Sequence, residues 1–190
     1  MRIIAGRFRG RDLGAVAEGV RPTADRVRES LFSVLGSVDG LRVLDLCAGT
    51  GALGLEACSR GAASVIWVER SRGVARDLAK RLAGFGLESE PGLELVVADA
   101  RQAIARLARA VDGPRFDLVF YDPPYAATDR VEVLEALFAS GLLASGATVV
   151  VEGARRHSLP AVPGARVVDE RRYGETVLTW LEPVAHGGGA

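Results

Sequence analysis

Asp45-Leu46-Cys47-Ala48-Gly49-Thr50-Gly51-Ala52-Leu53-Gly54 stands between an apolar run that begins at Leu41 and a stretch rich in helix formers. Gly49, Gly51 and Gly54 satisfy the G-x-G-x-x-G spacing of a nucleotide-binding loop. Glu69 follows Gly49 by 20 residues, where such loops want an acid for ribose hydroxyls. Glycine suits these positions because the backbone must turn tightly and let a ligand approach without a Cβ in the way. The spacing carries meaning only between a strand and a helix, so the flanking pattern decides it.

Downstream, short apolar runs alternate with helical stretches. Strands are expected over 41–46, 64–68, 93–98, 116–121 and 147–152, and helices over 52–59, 74–82, 100–108 and 131–138. The strands read as near-continuous apolar runs, as strands covered on both faces should. Repeated strand–helix units imply an α/β fold, a doubly wound and mostly parallel sheet with right-handed crossovers. After residue 160, Val167-Val168 and 177–181 flank Tyr173-Gly174 and suggest a closing antiparallel hairpin. Upstream, 1–16 reads as a short β-hairpin with a Gly-bounded turn. Thr23 caps a helix whose apolar face is Val27, Leu31, Val34 and Leu35, ended by Gly36 and Gly40. Without repeat or linker, this is one domain with a small N-terminal extension. The boundaries expected are a hairpin extension over 1–22, the main domain over 23–183 and a flexible tail over 184–190.

The 190 residues suffice for a core that needs no disulfide or metal. The 48% hydrophobic and 25% charged fractions exclude wholesale disorder, and no apolar run approaches bilayer length. With no signal-like start, Cys47 and Cys58 read as reduced thiols of a cytoplasmic protein. Formal net charge is zero, from 24 basic and 24 acidic residues. The charge is unevenly placed. Arg2, Arg7, Arg9 and Arg11 lie in the first 11 residues, which hold no acid, leaving 20 basic and 24 acidic residues in the rest. A neutral total can therefore hide a basic arm.

Ligands of such sheets bind beyond the carboxyl ends of the strands. The first four strands each end in or run into an acid: Asp45, Glu69, Asp99 and Asp122. A dinucleotide and S-adenosylmethionine would both suit the glycine loop and Glu69. Asp45 separates them, because a carboxylate repels a pyrophosphate and attracts an ammonium or sulfonium. The fourth strand runs into Asp122-Pro123-Pro124-Tyr125. Two prolines lock φ and remove two donors, so the loop is rigid and presents acceptors beside an aromatic ring. That set suits a flat substrate with an exocyclic amine, whose hydrogens the acceptors take while the ring stacks.

Asp45-x-x-x-Gly49-x-Gly51 with Asp122-Pro123-Pro124-Tyr125 resembles the class I S-adenosylmethionine-dependent methyltransferases that act on exocyclic amino nitrogens. More closely the chain resembles the RsmD family, 16S ribosomal RNA guanine-N2 methyltransferases. The likeness spans nearly the whole chain. It is carried also by Arg2-Ile3-Ile4-Ala5-Gly6 with Arg9-Gly10, by Arg21-Pro22-Thr23-Ala24-Asp25-Arg26-Val27-Arg28-Glu29, by Leu55-Glu56-Ala57 and Ser59-Arg60-Gly61-Ala62, and by Arg172-Tyr173-Gly174. Cys47 departs from it, since members usually carry Phe there, and so does the Gly-rich tail.

The resemblance implies a Rossmann-like class I methyltransferase fold, with a mostly parallel seven-stranded sheet and an antiparallel C-terminal hairpin. It implies S-adenosylmethionine as methyl donor, S-adenosylhomocysteine as product and no metal. Asp45, Ala48, Gly49, Thr50 and Gly51 would hold the methionine and ribose portion. Glu69 with Arg70 would take the ribose hydroxyls. Asp99 with Ala98 and Ala100 would lie beside the adenine. Asp122, at the donor's edge, and the Pro123 carbonyl would orient the guanine amine, and Tyr125 would stack on the base. Thr23 and Arg26 would close over a base flipped from its stack. The amine then attacks the sulfonium methyl in line. The implied target is guanine 966 of the small-subunit RNA.

RNA contact is assigned to the arginine-rich hairpin (Arg2, Arg7, Arg9 and Arg11, with Phe8 among them) and to Arg155 and Arg156 after the fifth strand. Arg fits bidentate phosphate recognition better than Lys. Arg171-Arg172 forms a third basic spot, while His157 and His186 sit apart and read as solvated. The expected partner is 16S rRNA within a partly or fully assembled small subunit, met by a monomer with no membrane role. Rival readings are an adenine-N6 or protein-glutamine methyltransferase, an NAD-dependent oxidoreductase, and a non-enzymatic RNA-binding assembly factor.

Overall fold

The computed structural model describes residues 1–14, 25–110, 115–124, 127–156 and 159–184. Thr23, Tyr125, His157 and His186 lie outside the described residues, as does most of the expected tail. The elements run α1 (Asp25–Leu35), β1 (Arg42–Leu46), α2 (Ala52–Ser59), β2 (Ser64–Glu69), α3 (Arg72–Gly84) and β3 (Leu93–Val97). They continue with α4 (Ala100–Ala108), β4 (Phe116–Tyr121), α5 (Arg130–Ala139), β5 (Leu143–Ala154), β6 (Ala165–Tyr173) and β7 (Thr176–Pro183).

Seven strands form one sheet in the order β3-β2-β1-β4-β5-β7-β6. β1 to β5 are parallel, and β7 runs antiparallel between β5 and β6. Strand order reverses between β1 and β4, and at that switch point the loops after the strands part to leave a crevice. Alternate side chains feed two cores. Val43, Val65, Trp67, Leu118, Phe120 and Val150 pack with α1, α2 and α3. Leu44, Leu46, Ile66, Val119, Tyr121 and Val151 pack with α4 and α5.

Several expectations change. β3 is not covered on both faces: it is the sheet edge, and Val97 is 51% exposed. β5 begins earlier than expected, because its pairing with β4 jumps from Phe116↔Leu143 to Leu118↔Thr148. The residues taken up by that irregularity, Ser145-Gly146 among them, read as a strand break in the sequence. β6 is longer than Val167-Val168, since an exposed edge strand carries charged residues. The buried face of α1 is Val27, Arg28, Leu31 and Phe32, with Val34 and Leu35 only half-buried. Arg28 is drawn inside by the Arg2 carbonyl at 2.6 Å and Asp25 at 2.7 Å.

The N-terminal segment is a hairpin-like loop with a single antiparallel bridge, Arg2↔Asp12, rather than two strands. It is docked on the domain. Ile3 and Leu13 are buried, and the Glu56 carboxylate, wholly buried in α2, accepts from the Ile4 amide at 2.8 Å and the Ala5 amide at 3.0 Å. Glu56 also meets Arg60 at 2.7 Å and Arg28 at 3.9 Å.

Candidate active site

A cavity of about 740 Å³ opens at the switch point, within the size range of small-molecule sites. Its walls come from the loop after β1, the ends of β2 and β5, the start of α4 and the loop after β4. They include Asp45, Ala48, Gly49, Thr50, Glu69, Arg70, Asp99, Ala100, Asp122 and Pro123. Segments far apart in the chain thus face one volume. Gly51 does not line it. That residue is the N-cap of α2 with φ +74°, and an added Cβ would sit 2.3 Å from Leu78 Cδ1. Gly54 serves packing, because a Cβ there would lie 2.2 Å from Trp67 Nε1.

Two acids set the loop. Glu69 accepts from the Gly49 amide at 3.0 Å and from the Ser71 amide at 2.7 Å. These bonds use two of a carboxylate's roughly four acceptor positions, leaving others toward the cavity. Asp45 is 1% exposed and accepts from the Gly54 amide at 2.9 Å. Burial pushes its carboxyl up to about 8. The Gly54 bond opposes this and the nearby Glu69 charge adds to it. A buried acid held near neutrality by its surroundings regains its charge when a cation arrives beside it. A ligand with an ammonium group fits that wall.

Asp99 caps α4, accepting from the Arg101 amide at 3.0 Å, while Ala98 and Ala100 give a flat apolar flank. The Asp122 amide donates to the Leu46 carbonyl at 3.3 Å, so the β1–β4 pairing carries the loop to the cavity rim. Pro123 is buried there and Pro124 is exposed. Cys47 lines the cavity at φ +62°, and its thiol is pushed up to about 12 by burial and by the charges of Glu69, Asp122 and Asp45. It stays protonated and is no nucleophile. Among the described residues, no cluster of three His, Cys, Asp or Glu side chains is arranged to hold a metal.

The basic residues divide. Arg7 is paired with Glu90 at 2.6 Å and with Cys58 Sγ at 3.1 Å. Arg11 donates to the Gly84 carbonyl at 2.6 Å and lies 4.1 Å from the Phe85 ring centroid. Phe8 packs edge-on against Phe85 at 5.1 Å. Arg2, Arg9, Arg26, Arg155 and Arg156 are exposed. None of these arginines lines the cavity, whereas Arg70 does.

Glu152 and Asp129 also line it, and neither was singled out from the sequence. The signal for Glu152 was present, because it closes the fifth expected strand as the other acids close theirs. Arg81 gave none. From α3 it donates to the Thr50 carbonyl at 2.8 Å and to the Leu13 carbonyl, tying the glycine loop to the N-terminal segment.

The chain is similar to known proteins in sequence and in fold. The model of the family "Conserved hypothetical protein 95" matches residues 1–182. "Ribosomal RNA small subunit methyltransferase D" of Escherichia coli K12 is 39% identical over 165 residues, 86% of this chain and 79% of that protein. The solved structure of Escherichia coli yhhF superposes with a TM-score of 0.83 at 36% identity, covering 98% of this chain and 99% of that one. A hypothetical protein of Thermus thermophilus gives 0.80 at 32% identity, covering 95% of this chain and 98% of that one.

Proposed function

The chain belongs to the RsmD family of methyltransferases, and from that premise we propose that it methylates the exocyclic N2 amine of a guanine in 16S ribosomal RNA, with S-adenosylmethionine as donor. The proposed position is guanine 966. The observation that carries this reading is the shared cavity: the glycine loop with Asp45 and Glu69 faces the same volume as Asp122 and Pro123. The donor, when bound, supplies an electrophilic methyl group.

The remaining chemistry belongs to the chain. Asp45 offers a carboxylate to the donor's ammonium, Glu69 takes the ribose hydroxyls, and Asp99 and Ala100 flank the adenine. Asp122 and the Pro123 carbonyl accept from the guanine amine. This turns the nitrogen lone pair toward the methyl group and stabilises the positive charge that develops on it. Tyr125 stacks on the flipped base, with Thr23 and Arg26 closing the site. Positioning and charge complementarity supply the catalysis, and no side chain forms a covalent intermediate. Exposed Arg2, Arg9, Arg155 and Arg156 approach RNA phosphates, while Arg7 and Arg11 brace the segment that presents them. The substrate is the partly or fully assembled small subunit in the bacterial cytoplasm, bound by a monomer.

S-adenosylhomocysteine should raise the melting temperature while NAD leaves it unchanged. Asp122→Ala should abolish transfer to small subunits and keep affinity for S-adenosylhomocysteine. Stabilisation by NAD alone would overturn the reading, and collapse of donor affinity in Asp122→Ala would move Asp122 into the donor site.

A further inference from the structure

One side of α3 meets two loops. Leu78 and Arg81 of that helix and its C-cap Phe85 stand three and four residues apart, so they share a face. Buried Leu78 fills the space at Gly51, where a Cβ would lie 2.3 Å from its Cδ1. Phe85 meets Phe8 of the N-terminal segment, with ring centroids 5.1 Å apart. Arg81 stands between these contacts and reaches both loops. Its Nη1 donates to the Thr50 carbonyl at 2.8 Å and its Nε to the Leu13 carbonyl. Thr50 lies between Gly49 and Gly51 and lines the cavity. Leu13 is buried in the N-terminal segment, and its amide donates to the Met1 carbonyl at 2.9 Å.

A guanidinium is planar, with its donors in a fixed arrangement. Two carbonyls held by one such group do not shift independently. A ligand resting on the glycine loop restrains Thr50, and the guanidinium that holds its carbonyl then loses less freedom in holding Leu13. Ordering at one end lowers the entropic cost of ordering at the other. Such coupling is reciprocal, so whatever fixes the N-terminal segment tightens the ligand by the same factor. Docking of the segment has other anchors. Glu56 holds the Ile4 and Ala5 amides, and the Ser59 carbonyl accepts from the Arg7 amide at 2.8 Å. Arg81 is therefore placed to adjust the segment rather than to keep it on the domain.

We propose that Arg81 is a positioning residue that couples the donor pocket to the N-terminal segment, so that a filled pocket firms the segment for RNA and RNA on the segment tightens the donor. This rests on the donor and RNA readings above and extends them to how the two ligands act on each other.

The test follows amide hydrogen exchange with and without saturating S-adenosylhomocysteine, together with affinity for small subunits in the same two conditions. In wild type the Ile3 and Leu13 amides should exchange about fivefold or more slowly with the ligand bound, and small subunits should bind tighter by a similar factor. Amides of β4 report global unfolding in the same experiment, which separates it from opening of the segment. Arg81→Met keeps a long side chain without donors. It should still bind S-adenosylhomocysteine, and both ligand effects should vanish. A merely structural brace would loosen the segment equally with and without the ligand. Exchange at Leu13 indifferent to ligand in wild type would overturn the coupling, and so would equal slowing in wild type and Arg81→Met. Failure of wild type to bind S-adenosylhomocysteine would overturn the donor reading as well. A segment firmed by ligand in a protein without affinity for small subunits would overturn the RNA half alone.

Discussion

Asp45 makes donor binding depend on pH in a direction and size that follow from its burial. In the ligand-free protein its carboxyl is pushed up from 3.8 to about 8. An ammonium placed beside it favours the carboxylate, so binding releases a proton in the window between the carboxyl's lowered midpoint in the complex and about 8. At pH 6 the carboxyl lies roughly two units below its midpoint, and ionising it costs about 3 kcal/mol. Affinity for S-adenosylhomocysteine should therefore fall roughly 100-fold between pH 9 and pH 6 through Asp45 alone. Asp45→Asn has no such proton, and the ligand's own amine titrates equally with both proteins. The ratio of wild-type to Asp45→Asn affinity thus isolates the effect. Isothermal calorimetry in buffers of different ionisation enthalpy should show about one proton released near pH 6.5 by wild type beyond any released by Asp45→Asn. The sign for stability is opposite. With the folded carboxyl raised above its unfolded value, its contribution is full below about 4 and is lost as pH rises through about 8. The ligand-free protein should melt lower as pH climbs across that window, less so in Asp45→Asn. An affinity ratio flat from pH 6 to 9, with no extra proton released, would show that Asp45 is already ionised in the ligand-free protein.

Three further outcomes are expected. Gly54→Ala drives a Cβ to 2.2 Å from the buried Trp67 ring, and should lower stability by about 1–3 kcal/mol in urea unfolding with an unchanged m-value. A loss under about 0.5 kcal/mol would show that Trp67 yields freely. Glu56→Ala strips the anchor from the Ile4 and Ala5 amides and leaves wholly buried Arg28 short of a partner. It should cost about 3–5 kcal/mol and roughly 10 °C of melting temperature, and hydrogen exchange at those two amides should accelerate. Protection unchanged there would mean that the segment docks without Glu56. Their surroundings raise the thiols of both half-buried Cys47 and buried Cys58, so Ellman's reagent at pH 8 should react slowly with the native protein and fast with two thiols on unfolding. Fast labelling of the native protein would contradict the raised thiols.

Legibility in the sequence tracked how local the physics was. The spans 52–59, 100–108 and 116–121 coincide with α2, α4 and β4, because a wholly buried helix, a helix packed on one face and a central parallel strand each leave a strong apolar pattern. The strand-end acids were readable for the same reason: each ends a run. What failed to show was set by distant partners. Arg28 and Glu56 look like solvated helix charges until the N-terminal segment and α1 fold over them. Arg81 reads as an ordinary surface residue of α3, yet it ties two loops through their carbonyls. The arginine-rich start reads as a basic hairpin arm, and nothing local marks Ile3 and Leu13 as the residues that dock it on the domain. The hairpin partner Val167-Val168 was legible, but the rest of β6 was not, because the free edge of a sheet has little apolar pattern to display.

Methyl transfer to guanine N2 is tested most directly by nucleoside mass spectrometry of small-subunit RNA after incubation with this protein and methyl-labelled S-adenosylmethionine. N2-methylguanosine is expected at a single guanine, lost with Asp122→Ala. Label found on adenine N6, on protein, or nowhere in the subunit would contradict it.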